Sequence, residues 1–182
     1  MDFAPAYIPE VVLVKPKVFG DARGFFLEAW REDKFASAGL PLHFVQDNRS
    51  RSSRWTLRGL HYQVIKPQGK LVQVVRGSVF DVAVDVRSGS PTYGQWVGVE
   101  LSDTNHYMLW VPPGFAHGFL ALSDSVDLIY KCTDFYAPQY ERVIRWDDPT
   151  IAIDWPLPSG IMPLLSARDG SARGLDAAEV LR

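Results

Sequence analysis

The stretch Val79-Phe80-Asp81-Val82-Ala83-Val84-Asp85-Val86 decides the fold class of this chain. Its alternation is strict. Phe80, Val82, Val84 and Val86 share one face, and Val79, Asp81, Ala83 and Asp85 share the other, which is the period of a strand and not of a helix. Asp81 and Asp85 either line a barrel interior, where they would be partners for a histidine, or face solvent. A tight turn, Arg76-Gly77-Ser78, separates this strand from another at Leu71 to Val75.

Working outward, short apolar runs recur between turn-rich segments. Strands are expected at Val11 to Val14, Phe25 to Trp30, Gln95 to Leu101, His106 to Val111, Gly118 to Leu122, Val126 to Thr133 and Val143 to Trp146, with His61 on a further one. Phe19 to Gly24 reads as a turn on its two glycines and aspartate, His43 to Asn48 as extended, and Arg49 to Arg54 as a polar loop. Arg31 to Ala38 is the first expected helix, closed by Gly39 just beyond its C-terminus, and a short one is expected over Leu175 to Leu181. Many short strands with one early helix imply an antiparallel sandwich or barrel. The 182 residues fit one domain, with a proline-rich tail over residues 150–182 packed on the barrel.

Composition excludes several function classes. A net charge of -2 lacks the surplus cations that a phosphate backbone requires, so nucleic acid is not an expected partner. The single cysteine, Cys132, leaves no intrachain disulfide and no cysteine metal site. The start MDFAPAYIPE has no long apolar run, and no stretch reaches the roughly 20 apolar residues of a membrane span. A cytoplasmic protein that does not bind membrane is the expectation.

Seven residues, Leu57 to Gln63 (LRGLHYQ), concentrate chemistry on one strand: a guanidinium (Arg58), a glycine, and an imidazole (His61). Histidine titrates nearest neutrality and suits a general base when a carboxylate fixes its tautomer. His117 lies in PPGFAHGF, where glycines and prolines shape the backbone closely around something or merely rigidify a turn. Tyr130 shares a face with Val126, Leu128 and Cys132, either as a packed aromatic or as a proton donor. Two histidines on neighbouring strands are also how many cupins hold a metal. The usual motif, however, is His-x-His with a glutamate a few residues on, and this chain has His61-x-Gln63. Two histidines with no third donor in motif position make a poor metal site, so no metal is expected.

These residues, in order along nearly the whole chain, resemble the dTDP-4-dehydrorhamnose 3,5-epimerase family of cupin-fold nucleotide-sugar enzymes. The matching segments include FGDARGFFLEAW (19–30), QDNRSRS (46–52), LRGLHYQ (57–63), QGKLVQVVRGSVFDVAVDVR (68–87), PPGFAHGFLALS (112–123), YKCTDFYAPQYE (130–141) and LSARD (165–169). The resemblance implies a mainly β, cupin-like jelly-roll barrel or sandwich of antiparallel strands with a few short peripheral helices. It implies a dTDP-4-keto-6-deoxyhexose substrate, His61 as base oriented by Asp169, Tyr130 as opposing acid, and Lys70 near the C4 oxygen. From spacing alone, a barrel aspartate such as Asp81 is an alternative partner for His61. Phe19, Arg23, Glu28, Gln46, Asn48, Arg58, His117, Glu141 and Arg168 match positions that contact nucleotide, phosphate or sugar. Arg168 stands where a lysine is expected, which keeps the charge and changes the donor geometry.

The implied chemistry is inversion at C3 and C5 through an enolate on the C4 oxygen. No hydride moves, so no cofactor is expected. A C3-only epimerase would carry the same residues, and a non-catalytic sugar-nucleotide-binding module is a further alternative. A homodimer is implied, in which an N-terminal strand crosses to the partner barrel and brings Phe19 or Arg23 to the neighbour's site.

Overall fold

A computed structural model describes residues 1–41 and 43–179. Its strands are β1 (Asp2–Pro5), β2 (Val12–Lys15), β3 (Val18–Asp21), β4 (Gly24–Leu27), β5 (Gln46–Ser53), β6 (Leu57–Gln63), β7 (Lys70–Arg76), β8 (Ser78–Asp85), β9 (Trp96–Ser102), β10 (Met108–Val111), β11 (Phe115–Ala121), β12 (Ser125–Cys132) and β13 (Glu141–Val143). Two short helices, α1 (Glu32–Ser37) and α2 (Ala167–Gly170), lie outside them. One sheet runs β1-β2-β10-β7-β12-β5, the other β13-β6-β11-β8-β9, and β3 and β4 form a separate hairpin. The two large sheets are antiparallel and pack face to face as a cupin-like sandwich.

The alternating stretch is β8, flanked by β11 and β9. Val79 and Ala83 point between the sheets, onto Val72, Leu109, Phe119 and Leu128. Val82, Val84 and Val86 point the opposite way and are equally buried, because Ile151, Trp155 and Leu175 from the C-terminal part cover that face. Each fully buried aliphatic side chain contributes about 1.5–3 kcal/mol of transfer free energy, so the tail supplies a second core and not a fringe. Asp81 and Asp85 are fully buried. Burial alone would raise the Asp85 carboxyl, but donors from Arg87, Ser90 and Thr92 hold it down at about 2.

The turn Arg76-Gly77-Ser78 carries the chain from one sheet to the other, since β7 pairs with β10 and β12 while β8 pairs with β11 and β9. Gly77 takes a φ of +76°, and a Cβ there would lie 2.6 Å from the Ser125 carbonyl oxygen. Only glycine fits that corner. On the outside of the six-stranded sheet, α1 buries Phe35 against Val14, Leu71, Met108 and Trp110.

Three local expectations change. Phe19 to Gly24 is largely β3 and the start of β4, with the turn confined to Ala22 and Arg23. The supposed loop Arg49 to Arg54 is mostly β5, all eight residues of which pair with β12. As the edge strand of its sheet it carries charged side chains, which suppress its apolar signal and guard the edge. Near the C-terminus a single 3-10 turn, Leu175–Ala177, is the only helical element among the described residues of the expected helix, and its residues 180 and 181 lie outside them. No helix among the described residues is long and apolar enough to cross a membrane.

Candidate active site

β6 and β11 lie side by side, with His61 directly opposite His117. The strands pinch together beside this pair. A Cβ on Gly59 would sit 2.6 Å from the Gly118 Cα, and one on Gly118 would sit 2.8 Å from the Arg58 carbonyl oxygen. Gly59 also has a φ of +128°, and the register shifts between His117 and Phe119. The two glycines thus permit an approach that sets both imidazoles on the inner face of the five-stranded sheet.

Each imidazole meets its own carboxylate. His61 Nε2 lies 2.6 Å from Asp169 Oδ1, and His117 Nε2 lies 3.0 and 3.1 Å from the two oxygens of Asp81. Asp169, and not Asp81, is therefore the partner of His61. Asp169 sits in α2, whose N-cap Ser166 accepts its backbone N–H at 3.0 Å. Burial alone would raise the Asp169 carboxyl, but hydrogen bonds from His61, Ser166 and the Gly59 N–H hold it below the usual range. The ionised carboxylate takes the Nε2 hydrogen and leaves Nδ1 as the free lone pair of the ring. The His61 side chain is 31% exposed while that of Asp169 is 4%, so the imidazole is reachable and its partner is not.

Lys70 opens β7 and pairs in register with Cys132. Its side chain is buried, lines the same cavity as His61, and makes no hydrogen bond or ion pair among the described residues. Burial pushes its pKa down, opposed by Cys132, Glu141 and Asp81. A desolvated ammonium with no protein partner is a strong donor waiting for an oxygen. Gln63, Phe115, Tyr136 and Glu141 complete much of the wall.

Tyr130 lies on β12 opposite Asn48 and Val72. Burial pushes its phenol up to about 12, reinforced by Cys132, Glu141 and Tyr136 and opposed by Arg58. It is therefore a neutral hydroxyl within the electrostatic reach of Glu141 and Arg58. Glu141 pairs in register with Gln63 and accepts from both Arg168 and the Tyr136 hydroxyl, the latter at 2.6 Å. Arg58 donates to the Ser52 hydroxyl at 3.1 Å and to the Arg51 carbonyl at 3.2 Å. On β5, Gln46 donates to Asn48 at 3.0 Å.

Three of the expected contact residues are elsewhere. Phe19 and Arg23 lie on the exposed β3–β4 hairpin, where Arg23 pairs with Asp21 at 2.6 Å, and Glu28 is held by Lys34 at 2.6 Å. Of all the expected site residues, only His61, Lys70 and Glu141 line the cavity itself. Conversely, sequence reasoning missed Tyr136, Gln68 and Phe115 on the cavity wall. The aromatic pair Phe135-Tyr136 next to two strand ends was the one available signal for the first.

The donor set does not suit a metal ion. Both histidines are committed to carboxylates, the Gln63 amide is hydrogen-bonded to backbone, and no three His, Cys, Asp or Glu side chains among the described residues converge on one point.

Residues 5–177 match the profile described as dTDP-4-dehydrorhamnose 3,5-epimerase. The Pseudomonas aeruginosa protein of that name is 54% identical over 173 residues, which cover 94% of each chain. An epimerase from Legionella pneumophila, solved in complex with dTDP-4-keto-L-rhamnose, superposes with a TM-score of 0.95 at 48% identity, covering 100% of this chain and 97% of its own. A 3'-monoepimerase from Streptomyces bikiniensis superposes with a TM-score of 0.88 at 38% identity, covering 94% and 87%. A match over nearly the full length, with half the residues identical and the same sandwich, leaves one assignment: the chain is an enzyme that belongs to the dTDP-4-dehydrorhamnose 3,5-epimerase family.

Proposed function

We propose that the enzyme inverts C3 and C5 of dTDP-4-dehydro-6-deoxy-D-glucose to give dTDP-4-dehydro-L-rhamnose. The observation that carries this reading is the pairing of a carboxylate-oriented imidazole, His61, with an unpartnered ammonium, Lys70, on one cavity. A ketone at C4 acidifies the hydrogens on both neighbouring carbons, because either carbanion places its charge on the C4 oxygen. Lys70 stabilises that charge as it develops, and losing one such donor typically costs about 3 kcal/mol. His61 Nδ1 removes the proton, and Asp169 stabilises the imidazolium that forms. Return of a proton from His61 would restore the starting configuration, so inversion requires a donor on the other face, and Tyr130 is the neutral phenol available for it.

Arg58 and Arg168 serve the diphosphate, which guanidinium groups bind bidentately. In this reading Arg168 leaves Glu141 for phosphate when the substrate enters. Gln46, Asn48, Glu141 and His117 contact nucleotide or sugar. Phe19, Arg23 and Glu28 reach a site only if a second copy docks on the exposed hairpin, so the working form is a homodimer. The hairpin side chains Val18, Phe19, Phe25 and Phe26 expose the apolar surface such docking would cover.

A second reading, inversion at C3 alone, is favoured by the likeness to the monoepimerase noted above. Proton NMR in heavy water separates the two. Exchange at both carbons is expected; exchange at C3 alone selects the second reading, and exchange at neither rejects both.

A further inference from the structure

Gln63 stands on β6 two residues beyond His61, on the same face, and its side chain is buried. Its amide is spent on backbone. Nε2 donates to the Lys66 carbonyl at 2.7 Å and to the Phe135 carbonyl at 3.4 Å, while Oε1 accepts the Ala137 N–H at 2.8 Å. Both amide hydrogens are thereby used, and the group has no donor left for a ligand.

The segment it holds, Thr133 to Ala137, joins β12 to the turn before β13 and belongs to no ladder. Apart from the Thr133 N–H and the Ala137 carbonyl, which pair with the backbone of Gly69 and Tyr140, its bonded backbone groups find side-chain partners. Gln68 Nε2 donates to the Asp134 carbonyl at 2.7 Å, Gln46 Oε1 accepts the Tyr136 N–H at 2.9 Å, and Thr133 Oγ1 accepts the Gly69 N–H at 2.8 Å. Three glutamine amides from three separate strands or loops thus grip four consecutive residues. The gripped segment carries Tyr136, whose ring lines the cavity of His61 and Lys70 and whose hydroxyl donates to Glu141. Gln63 also pairs with Glu141 through the backbone. One residue therefore sets both members of the Tyr136–Glu141 contact relative to the imidazole.

We propose that Gln63, assisted by Gln68 and Gln46, is a positioning residue that fixes Tyr136 as the rim of the sugar cavity and so governs capture of the substrate and not the transfer of the proton. The proposal rests on the reaction assigned above. His61, Asp169 and Lys70 are held by β6, α2 and β7 without help from the Gln63 amide, so proton abstraction does not depend on it.

The test is a double-mutant cycle in steady-state turnover of the 4-keto sugar nucleotide. Gln63→Leu, which keeps the volume and deletes every hydrogen bond, is expected to raise KM about fivefold, the equivalent of one lost hydrogen bond, with kcat changed less than about twofold. Tyr136→Phe is expected to raise KM by a similar factor. Because Gln63 acts through Tyr136, the double variant should be no worse than either single one. Multiplying KM effects, or a fall in kcat with KM unchanged, would overturn the proposal, since a general loss of folded enzyme lowers kcat and leaves KM alone. If Gln63→Leu fails to fold, Gln68→Ala removes one strand of the same grip at a less buried position. It is expected to raise KM about twofold, again without adding to Tyr136→Phe, and additivity there overturns the proposal equally. Wild-type enzyme that exchanges neither carbon would sink the assigned reaction itself, an outcome distinct from any pattern among the variants.

Discussion

His61 Nε2 and Asp169 Oδ1 lie 2.6 Å apart although 108 residues separate them in the chain. The contact joins β6 to α2, and the Gly59 N–H reaches the same carboxylate, so strand and helix share one hydrogen-bonded node. A base built this way loses its proton acceptor on substitution of His61 and its orientation on substitution of Asp169. His61→Ala should abolish solvent exchange at both C3 and C5 while dTDP binding, read by calorimetry, stays near wild type. Asp169→Asn keeps the shape, presents the wrong hydrogen-bonding partner, and should slow exchange by about 10²- to 10⁴-fold.

The proposed mechanism divides the two halves of the reaction between His61 and Tyr130. With its phenol held at about 12, Tyr130 keeps its proton at neutral pH and is an acid only toward a strongly basic enolate. Tyr130→Phe should therefore cut the formation of inverted product far more than the uptake of deuterium at C3. Measuring both in the same NMR time course gives the ratio directly. Equal loss of the two would assign the returning proton to another group.

In the proposed mechanism Lys70 sets the alkaline limit of activity. Burial pushes it below its ordinary 10.5, whereas Tyr130 is pushed above its ordinary 10.0, so Lys70 is the first of the two to lose its proton as pH rises. The protonated form is the useful one, and kcat/KM should fall on the alkaline side with an apparent pKa under 10.5. Lys70→Arg keeps a cation that does not titrate in this range. It should lower the plateau, through altered geometry, and remove that alkaline limb. An unmoved limb would mean that a different group controls it.

The contact of Gly59 with Gly118 admits no side chain. Gly59→Ala would place a methyl 2.6 Å from the Gly118 Cα and force an L residue into a φ of +128°. The combined clash and strain should cost about 2–4 kcal/mol, seen as a lower denaturant midpoint, and should displace His61 from His117. Gly89, also at positive φ but with open space around it, is the control: Gly89→Ala should cost only about 1 kcal/mol.

How much of this was legible in the chain follows from which forces leave a local trace. The alternation of Val79 to Val86 named a strand, because pleat and side-chain period are local. It did not name the strand's partners, and Gly77 reads identically in a hairpin and in the corner between sheets that it makes. β5 was hidden since its charged alternation is the signature of an edge, which resembles a loop. The ambiguity over Asp81 lay in pairing: only the register that sets His117 opposite His61 decides which carboxylate each imidazole meets. Asp169 occupies a four-residue helix with no periodic signal, and it was reached through family resemblance alone. The glutamine grip on Thr133 to Ala137 is a set of side chain-to-backbone bonds between distant segments, for which no spacing rule exists.

The hairpin of Phe19 and Arg23 supplies the last test. The family resemblance implies that both residues contact substrate, yet neither lines the cavity of His61 and Lys70 in its own chain. If the hairpin serves the partner's site, each active site combines His61 of one copy with Arg23 of the other. Arg23→Ala and His61→Ala homodimers should each be severely impaired. Unfolding them together and refolding at equal amounts yields mixed dimers, in which one site has lost both groups and the other has regained both. With half of the dimers mixed and one good site in each, activity should return to about a quarter of wild type, as a two-fold symmetric assembly requires. An Arg23 that served its own chain would leave every site defective after mixing, and activity would stay at the mean of the two parents. Sedimentation of the refolded mixture fixes the dimer fraction, so a failure to associate is distinguished from a hairpin that stays at home.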